Sequence, residues 1–444
     1  MALAHEGPGA RFTLLESLRE YGAQCVQAAC EGPATAGRHL QWMAAQWAQA
    51  DETALREPVL AWTARLAPEI EILRAALRWA RATLAAQEAA GDDAVILAEA
   101  LLALVGHSTA FWQPVGLLAE GAHWCLAVRA RAQAHGAPLR RAGIHLALAL
   151  LCRYMPLLQT TESLALALQA AAAYGSAGDV EREYFARYLA WALTMEVDES
   201  LDCGPHLQRM QALVQPGWNP LLRRYVRMAW MQDERLQGRP GAFLQGMRED
   251  LVLFRQLGAQ GESGATGLGL MCAEHDQGCP ERAIAAGRVL VDEVRAAGRL
   301  RTYAQLFTVH ITMLAESGDV AATRPLLAEA LPMMPSMSAC EILLLAMGWL
   351  ASHESRDTAA ARLLGWFDSP LRGGSNYGER TFTRRCAKAL GARLDQRSGT
   401  ARHQALQAEA ANLGEAEAVR LGLAVGSEQE RRRQPRTDGN PTAS

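Results

Sequence analysis

The strongest constraint on the fold of this chain is a repeat of about forty residues that begins near residue 160. Similar phrases recur along it, at Thr161-Glu-Ser-Leu, Leu201-Asp-Cys-Gly, Gly238-Arg-Pro-Gly-Ala-Phe, Gly278-Cys-Pro-Glu-Arg-Ala-Ile, Gly318-Asp-Val-Ala-Ala and Arg356-Asp-Thr-Ala-Ala. Each phrase is predicted to begin one helix, and a second helix follows before the next phrase. A fixed period of helix pairs is typical of an α-solenoid, in which each pair packs on its neighbours.

The copy that starts at Gly278 shows apolar residues at helical spacing. Its predicted core residues are Ile284, Val291 and Val294 on the first helix and Leu306, Val309 and Met313 on the second. Glycine is expected to end a helix at each boundary, and Asp319 is expected to cap the next one. The small residues that follow three of the boundaries favour close helix packing; they are Ala283, Ala321 and Ala359.

The repeat length lies between that of tetratricopeptide repeats, about 34 residues, and that of HEAT repeats, about 40–47 residues. We therefore predict an all-α fold, a right-handed α-solenoid of tetratricopeptide-like helix pairs. The alternative is an irregular helical domain in which the spacing is coincidental.

The N-terminal part has a different pattern. Residues 11–15 read as a short strand, and Ser17 with Glu20 resembles a capping box that would begin a helix. That helix would carry Leu18, Tyr21 and Cys25 on one side. A second helix is predicted from an unbroken apolar stripe at Leu66, Ile70, Leu73, Leu77, Ala80 and Leu84.

These patterns divide the chain into five regions. We expect a short strand and linker helix at 1–35, a helical linker domain at 36–110, the tetratricopeptide-like array at 111–372, capping helices at 373–425 and a disordered tail at 426–444.

Composition limits the possible partners and compartments. The formal net charge is −3, whereas nucleic-acid binders usually show a basic excess, so we expect no direct nucleic-acid binding. Nine scattered cysteines suggest a reducing compartment. No signal peptide is apparent, and the apolar stretch from Ala94 to Val105 reads as too short to span a bilayer. We expect a cytoplasmic protein that does not insert in a membrane.

Two segments resemble one known family. The sequence RFTLLESLREYGA, residues 11–23, is similar to a phrase in STAND-class bacterial transcriptional regulators, with matches at Leu14, Leu15, Glu16, Arg19, Glu20 and Tyr21. The sequence WTARLAPEIEILRAALRWA, residues 62–80, matches the same family at Trp62, Leu66, Glu69, Leu73, Arg74, Ala75, Ala76, Leu77 and Trp79. Ile72 stands where the family usually has asparagine.

In that family the first phrase lies at the end of a P-loop ATPase module and is followed by a helical repeat array. The resemblance therefore implies the C-terminal, tetratricopeptide-like region of such a regulator, without the ATPase and DNA-binding modules. It also implies that residues 1–35 are a short winged-helix remnant followed by a linker helix. A P-loop needs the pattern G-x-x-x-x-G-K-[ST]. Lys388, between Ala387 and Ala389, does not fit it, so we expect the chain to show no ATP binding or hydrolysis.

Two other patterns suggest chemistry but favour a structural interpretation. The stretch GESGATGLG, residues 261–269, lacks the lysine of a phosphate loop and reads as small residues at a helix–helix contact. Cys272, His275 and Cys279 could share a helix face as zinc ligands do, yet no second Cys/His pair lies nearby in sequence. The sequence thus singles out no catalytic, cofactor-binding or metal-ligating residue, and we expect a protein that is not an enzyme.

The leading functional hypothesis is a non-catalytic sensor or protein-interaction module of a STAND-like transcriptional regulator. It would bind a protein, a peptide or a small effector in a groove of the helical array, as a monomer or as a homo-oligomer. The alternative is a free-standing tetratricopeptide-like scaffold with no role in transcription.

Overall fold

A computed structural model describes residues 2–5, 11–13, 15–86, 92–155, 157–198, 201–296, 304–332, 340–367, 377–410 and 413–423. Predictions for residues 368–376 and for the tail lie outside the described residues. The first half contains a small hairpin followed by seven helices: β1 Ala2–His5, β2 Arg11–Thr13, α1 Glu16–Ala28, α2 Gly32–Asp51, α3 Val59–Leu66, α4 Ile70–Ala86, α5 Asp92–Trp112, α6 Leu118–His135 and α7 Pro138–Cys152.

The repeat region continues as helices only. Their bounds are α8 Thr160–Ala177, α9 Val180–Val197, α10 Gly204–Leu213, α11 Pro220–Leu236, α12 Pro240–Gln256, α13 Gln260–Asp276, α14 Pro280–Ala296, α15 Ala304–Ser317, α16 Val320–Ala330, α17 Cys340–His353 and α18 Asp357–Phe367. Three helices follow: α19 Tyr377–Ser398, α20 Thr400–Ala410 and α21 Glu415–Leu423. The predicted all-α class with successive helix pairs is confirmed.

The predicted boundaries coincide with helix starts. All six phrases lie within a few residues of the start of an even-numbered helix, from α8 to α18. Gly238, Gly278 and Gly318 adopt positive φ angles of 79°, 74° and 85°, a left-handed conformation that glycine adopts without a Cβ clash. Asp319 then caps α16, since its carboxylate accepts a hydrogen bond from the Ala322 amide at 3.0 Å.

The core of the predicted copy is mostly as expected. Val291, Val294, Leu306, Val309 and Met313 are buried, and Ile284 is half-buried. The apolar stripe is confirmed on α4, where Leu73, Leu77, Ala80 and Leu84 are buried. Leu66 is instead the last residue of α3, and a 3₁₀ turn at Ala67–Glu69 separates it from α4. Of the three small residues after the boundaries, Ala283 is fully buried, Ala321 is exposed and Ala359 is half-buried. On α16 and α18 the nearby residues Thr323 and Ala360 face the core instead.

The helices form two layers. Each helix packs against its neighbours in sequence, and odd-numbered helices also contact one another, as in the pairs α5 with α7, α7 with α9, α9 with α11, α13 with α15 and α15 with α17. The odd-numbered helices therefore form an inner layer, and most even-numbered helices cover it from outside. This arrangement presents a common face of inner helices along the array.

The N-terminal segment confirms one expectation and corrects another. The predicted strand is present at Arg11–Thr13, where it forms an antiparallel hairpin in which Leu3 lies opposite Phe12. Ser17 does not cap α1, because the helix already begins at Glu16 with Leu15 at the capping position and no side-chain cap. Leu15, Leu18 and Tyr21 are exposed, and α1 buries none of its residues.

Helix α5 is longer than the apolar stretch noted in the sequence. Its residues Asp93–Trp112 are long and apolar enough to cross a membrane by length and composition, so the judgement from Ala94–Val105 underestimated it. Buried core helices pass the same test. Here α5 packs on α2, α4, α6 and α7, and Glu99 accepts a hydrogen bond from the Ala137 amide at 2.9 Å. These contacts are those of a core helix.

Candidate functional site

A cavity of about 930 Å³ lies on the face of the inner helices. Its walls come from the end of α2, from α3, and from α5, α7, α9, α11 and α13. Helices far apart in sequence therefore surround one space. Cavities of this size that combine apolar walls with a few converging polar groups are typical of ligand sites.

One wall is formed by residues 52–60, which we call the bridging segment. It connects α2 to α3 and crosses to the repeat array, where Leu55 packs against the buried cluster of α9 and α11. The Asn219 side-chain amide donates to the Arg56 carbonyl at 2.7 Å, and the Arg56 guanidinium pairs with Glu181. The bridging segment thus fastens the N-terminal helices to the array across the cavity.

An ionic cluster lines the cavity where α2, α5, α7 and α9 meet. Asp51 Oδ2 lies 2.9 Å from His107 Nδ1 and accepts a hydrogen bond of 2.9 Å from Arg182. Arg182 also donates to Asp179 at 2.8 Å, and Arg140 Nη1 lies 3.3 Å from His107 Nε2. Since each carboxylate has a cationic or imidazole partner, this cluster holds four helices together and orients their polar ends toward the cavity.

A second wall is aromatic. Phe185 and Tyr188 share one face of α9, and Tyr225 on α11 packs against both, with ring centroids 5.1 Å and 4.7 Å away. The Tyr188 hydroxyl donates to Met228 Sδ at 3.7 Å. Burial raises the pKa of Tyr225 to about 12, so its phenol remains neutral near pH 7. This wall suits an apolar or aromatic side chain of a ligand.

The polar group of greatest interest is Glu262, in the first turn of α13. Its side chain is 5% exposed and lines the cavity. Oε1 accepts a hydrogen bond from the Val59 backbone amide at 3.2 Å and lies 3.4 Å from Arg224 Nη1. Oε2 is buried and has no hydrogen-bond partner among the described residues. A buried carboxylate oxygen without a donor is destabilising, which marks this position as unusual.

The small-residue stretch at 261–269 proves to have two roles. A Cβ at Gly267 would lie 2.6 Å from Leu290 Cδ1, and one at Gly269 would lie 2.6 Å from Met247 Cε, so close helix packing is confirmed there. The same stretch also places Glu262 and Ala265 on the cavity wall. Sequence reasoning missed this second role; the one available signal was an acidic residue within a run of small ones.

The predicted Cys/His set does not form a metal site, and of its members only Cys272 lines the cavity. Cys272 and His275 are buried on α13, and Cys279 follows that helix and accepts a hydrogen bond from Arg282. Within the described part of the chain, no group of three or more Cys, His, Asp or Glu side chains is placed to hold a metal ion.

His275 instead belongs to a cluster that joins α13 to α19. Its Nε2 lies 3.2 Å from Glu316 Oε2, and Arg385 Nη2 lies 2.6 Å from its Nδ1. The Cys386 thiol donates to Glu316 at 3.0 Å, and burial raises the pKa of that thiol well above its usual range. A thiol held in its protonated form is a poor nucleophile, so this cluster reads as a structural joint.

The residues that resemble the regulator family have structural surroundings here. Trp62 is buried, and its indole N–H donates to the Ala50 carbonyl at 2.8 Å. Arg74 forms a bidentate pair with Glu120, which joins α4 to α6. Ile72, which replaces the family's asparagine, is 39% exposed. The matched positions in this segment therefore stabilise the N-terminal helices and lie outside the cavity wall.

Comparison with known proteins adds little. No protein-family model matches the sequence, and no curated protein matches it. Among solved structures, the chain is similar to the crystal structure of Rap protein complexed with competence and sporulation factor, at 10% identity and a TM-score of 0.46, over 81% of this chain and 99% of that one.

Proposed function

We propose that this chain is a non-catalytic sensor or interaction module that binds a peptide or a small effector in the cavity of about 930 Å³ between the bridging segment and the inner helices. The cavity itself is the observation that supports the proposal. It combines an aromatic wall, an ionic cluster and a buried carboxylate with a spare oxygen, and its walls come from both the N-terminal helices and the array.

The geometry also provides a way to transmit binding. A ligand in the cavity contacts the bridging segment and α9, α11 and α13 together, so it can change how firmly the N-terminal helices are held to the array. A ligand shifts a conformational equilibrium only through different affinities for the two states. We propose that the tightly bridged form described here is one of those states.

The context of a STAND-like transcriptional regulator acting in the cytoplasm remains a proposal that rests on the two segments at 11–23 and 62–80. In that context, ligand binding would control the activity of a partner that carries the regulatory machinery. A free-standing scaffold would use the same cavity without such a partner.

Selection of peptides from a random display library tests the binding proposal. Ala265 is exposed to the cavity, one helical turn beyond Glu262, so Ala265→Trp fills the space from a position that tolerates a side chain. We expect peptides enriched on the native chain to lose at least tenfold in affinity for this variant.

The matched control is Val252→Trp, on the neighbouring helix α12. Val252 is exposed and is not among the residues that line the cavity. Peptides should bind this control as they bind the native chain. Equal binding to Ala265→Trp, or no enrichment on the native chain, would show that the cavity is not a peptide site.

A further inference from the structure

We infer that Glu262 binds a cationic nitrogen of the ligand, so that the cavity selects a peptide with a free ammonium or guanidinium group beside an apolar side chain. This inference rests on the proposed function of the cavity and adds the chemical class of its occupant. It is carried by the position of the Glu262 carboxylate, which lines the cavity, is 95% shielded from solvent and has one oxygen without a hydrogen-bond donor among the described residues.

The neighbouring arginine forms an ion pair with one oxygen of that carboxylate, Oε1, and donates no hydrogen bond to the other. Arg224 Nη1 lies 3.4 Å from Oε1, but its hydrogen bonds go to the Leu221 carbonyl at 3.0 Å and, through Nη2, to the Tyr225 hydroxyl at 2.6 Å. Its guanidinium carbon lies 4.4 Å from the centre of the Tyr225 ring. Arg224 therefore stays fixed on Tyr225 and leaves Glu262 Oε2 free to accept a donor.

The other carboxylates of the cavity wall are already satisfied. Asp51 and Asp179 share Arg182, and Glu181 pairs with Arg56. Glu52 is exposed, so water can solvate it. Within the described wall, Glu262 is thus the acidic group whose hydrogen-bonding capacity is most incomplete. A charged N–H donor forms the strongest hydrogen bond with such an oxygen, and guanidinium and ammonium groups are the donors that peptides carry.

The surroundings specify what accompanies the nitrogen. Arg224 and Tyr225 join the carboxylate to the aromatic wall of Phe185 and Tyr188, so a ligand held at Glu262 can place an apolar side chain against these rings. This pairing of one ionic anchor with an apolar pocket is the usual design of a specific ligand site.

Binding at Glu262 also disturbs the bridging segment. Oε2 is shielded from solvent, and Oε1 accepts from the amide of Val59, at the start of α3. A ligand nitrogen reaches this carboxylate as the start of α3 moves away. We expect hydrogen–deuterium exchange of the Val59 amide to become faster when such a ligand binds.

Three small probes distinguish the possible sources of the nitrogen. Phenylalanyl-leucinamide carries a free α-ammonium, N-acetyl-leucyl-argininamide carries a side-chain guanidinium, and N-acetyl-phenylalanyl-leucinamide carries neither. Calorimetric titration should show that at least one cationic dipeptide binds the native chain ten times more tightly than the neutral one. Glu262→Gln should abolish this preference, because its amide places an N–H₂ group where the spare oxygen lay.

The matched control is Glu274→Gln, on the same helix, equally buried, paired with Arg248 and outside the cavity wall. It should keep the preference. Circular dichroism of both variants checks that they are folded. The inference is overturned if neither cationic dipeptide binds at millimolar concentration, if the neutral one binds equally well, or if Glu262→Gln retains the preference.

The proposal that the cavity binds a peptide and the proposal that Glu262 binds a cationic nitrogen can be refuted separately. If Ala265→Trp abolishes peptide binding while Glu262→Gln leaves it unchanged, the cavity is a binding site and the assignment of the nitrogen is wrong. If display peptides bind Ala265→Trp as well as the native chain, the proposed function itself is wrong.

Discussion

The backbone amide of Val59 donates a hydrogen bond of 3.2 Å to the side chain of Glu262, across 203 positions of sequence. This bond joins the N-terminal helices to the middle of the repeat array. It also occupies one oxygen of the carboxylate to which we assign ligand binding. The position of the bridging segment and the state of the cavity are therefore linked through one side chain.

Asn219 gives an independent means of loosening the bridging segment. Its Oδ1 accepts from the Leu222 amide at 2.9 Å and caps α11, while its Nδ2 donates to the Arg56 carbonyl at 2.7 Å. Asn219→Asp keeps the cap and removes the donor. We expect faster hydrogen–deuterium exchange at residues 53–60 with little change in α11.

Asn219→Ala removes both interactions and serves as the comparison. It should show the same fast exchange and lose roughly 1 kcal/mol more of the free energy of unfolding, the usual contribution of a helix cap. Unchanged exchange at residues 53–60 in both variants would show that this hydrogen bond does not hold the segment.

Gly365 tests the packing of the C-terminal helices. A Cβ at this position would lie 2.3 Å from the Gln407 carbonyl oxygen and 2.5 Å from its Cα, so α18 and α20 are in contact through their backbones. Gly365→Ala should lower the free energy of unfolding by about 1–3 kcal/mol, because two helices must separate. Gly241→Ala, with nothing within 4 Å of its added methyl, should leave stability unchanged or raise it. Urea denaturation measures both, and equal stability of the two variants would contradict the close contact.

The burial of His310 leads us to expect that the free energy of unfolding depends on pH. It is 1% exposed on α15, its Nδ1 has no partner among the described residues, and burial lowers its pKa from 6.5 to about 4. Below pH 6.5 the unfolded chain binds a proton that the folded chain does not. The free energy of unfolding therefore falls as the pH decreases from 6.5 toward 4, by about 2 kcal/mol at pH 5 from this group.

The variant His310→Gln isolates that effect. Whatever its stability at pH 7, its loss of stability between pH 7 and pH 5 should be smaller than that of the native chain by about 2 kcal/mol. Urea denaturation at the two pH values gives the comparison. An identical loss in both proteins would mean that His310 is protonated as readily in the folded state as in the unfolded one.

Deletion of residues 1–16 tests whether the N-terminal hairpin belongs to the core. Helix α1, which follows the hairpin, buries none of its residues, and Leu18 and Tyr21 are exposed. We expect the melting temperature of the array to stay the same, because α1, which connects the deleted residues to the array, buries none of its residues. Solubility or oligomerisation should change instead, because the deletion removes Leu15, an exposed apolar side chain. Thermal melts and size-exclusion chromatography measure these two properties. A decrease of many degrees would place the segment within the core.

The helix boundaries could be predicted because they depend on local chemistry. Gly318 and Asp319 end one helix and cap the next through their own backbone and side chain, so the sequence at that point is sufficient. The spacing of apolar residues along α14 and α15 likewise predicts the buried face of each helix, as Val291 and Met313 show. Ser17 shows the limit of such rules, since the capping position of α1 is Leu15, two residues before this favourable capping residue.

The cavity could not be predicted in the same way. Its walls bring residues 51–60 together with α9, α11 and α13, and no local pattern encodes contacts over such separations. Glu262 lies in a run of small residues. The prediction that this run packs helices together is correct, but it missed that the run also lines the cavity. Whether Glu262 meets the Val59 amide depends on where the bridging segment crosses to the repeat array. Only the folded chain specifies that position.

A helix from the N-terminal part of the chain and a helix from the C-terminal part both contact α13, in the middle of the chain. Helix α3 reaches α13 through Val59, and α19 reaches it through Arg385, which donates to Asp276 at 2.8 Å. An open helical array can lose its terminal repeats one at a time, since each repeat depends on its neighbours alone. Here the loss of either terminal part also removes contacts from the centre, so fraying is coupled to the middle of the array. We therefore expect one cooperative unfolding transition for the whole array, in place of the stepwise loss of repeats.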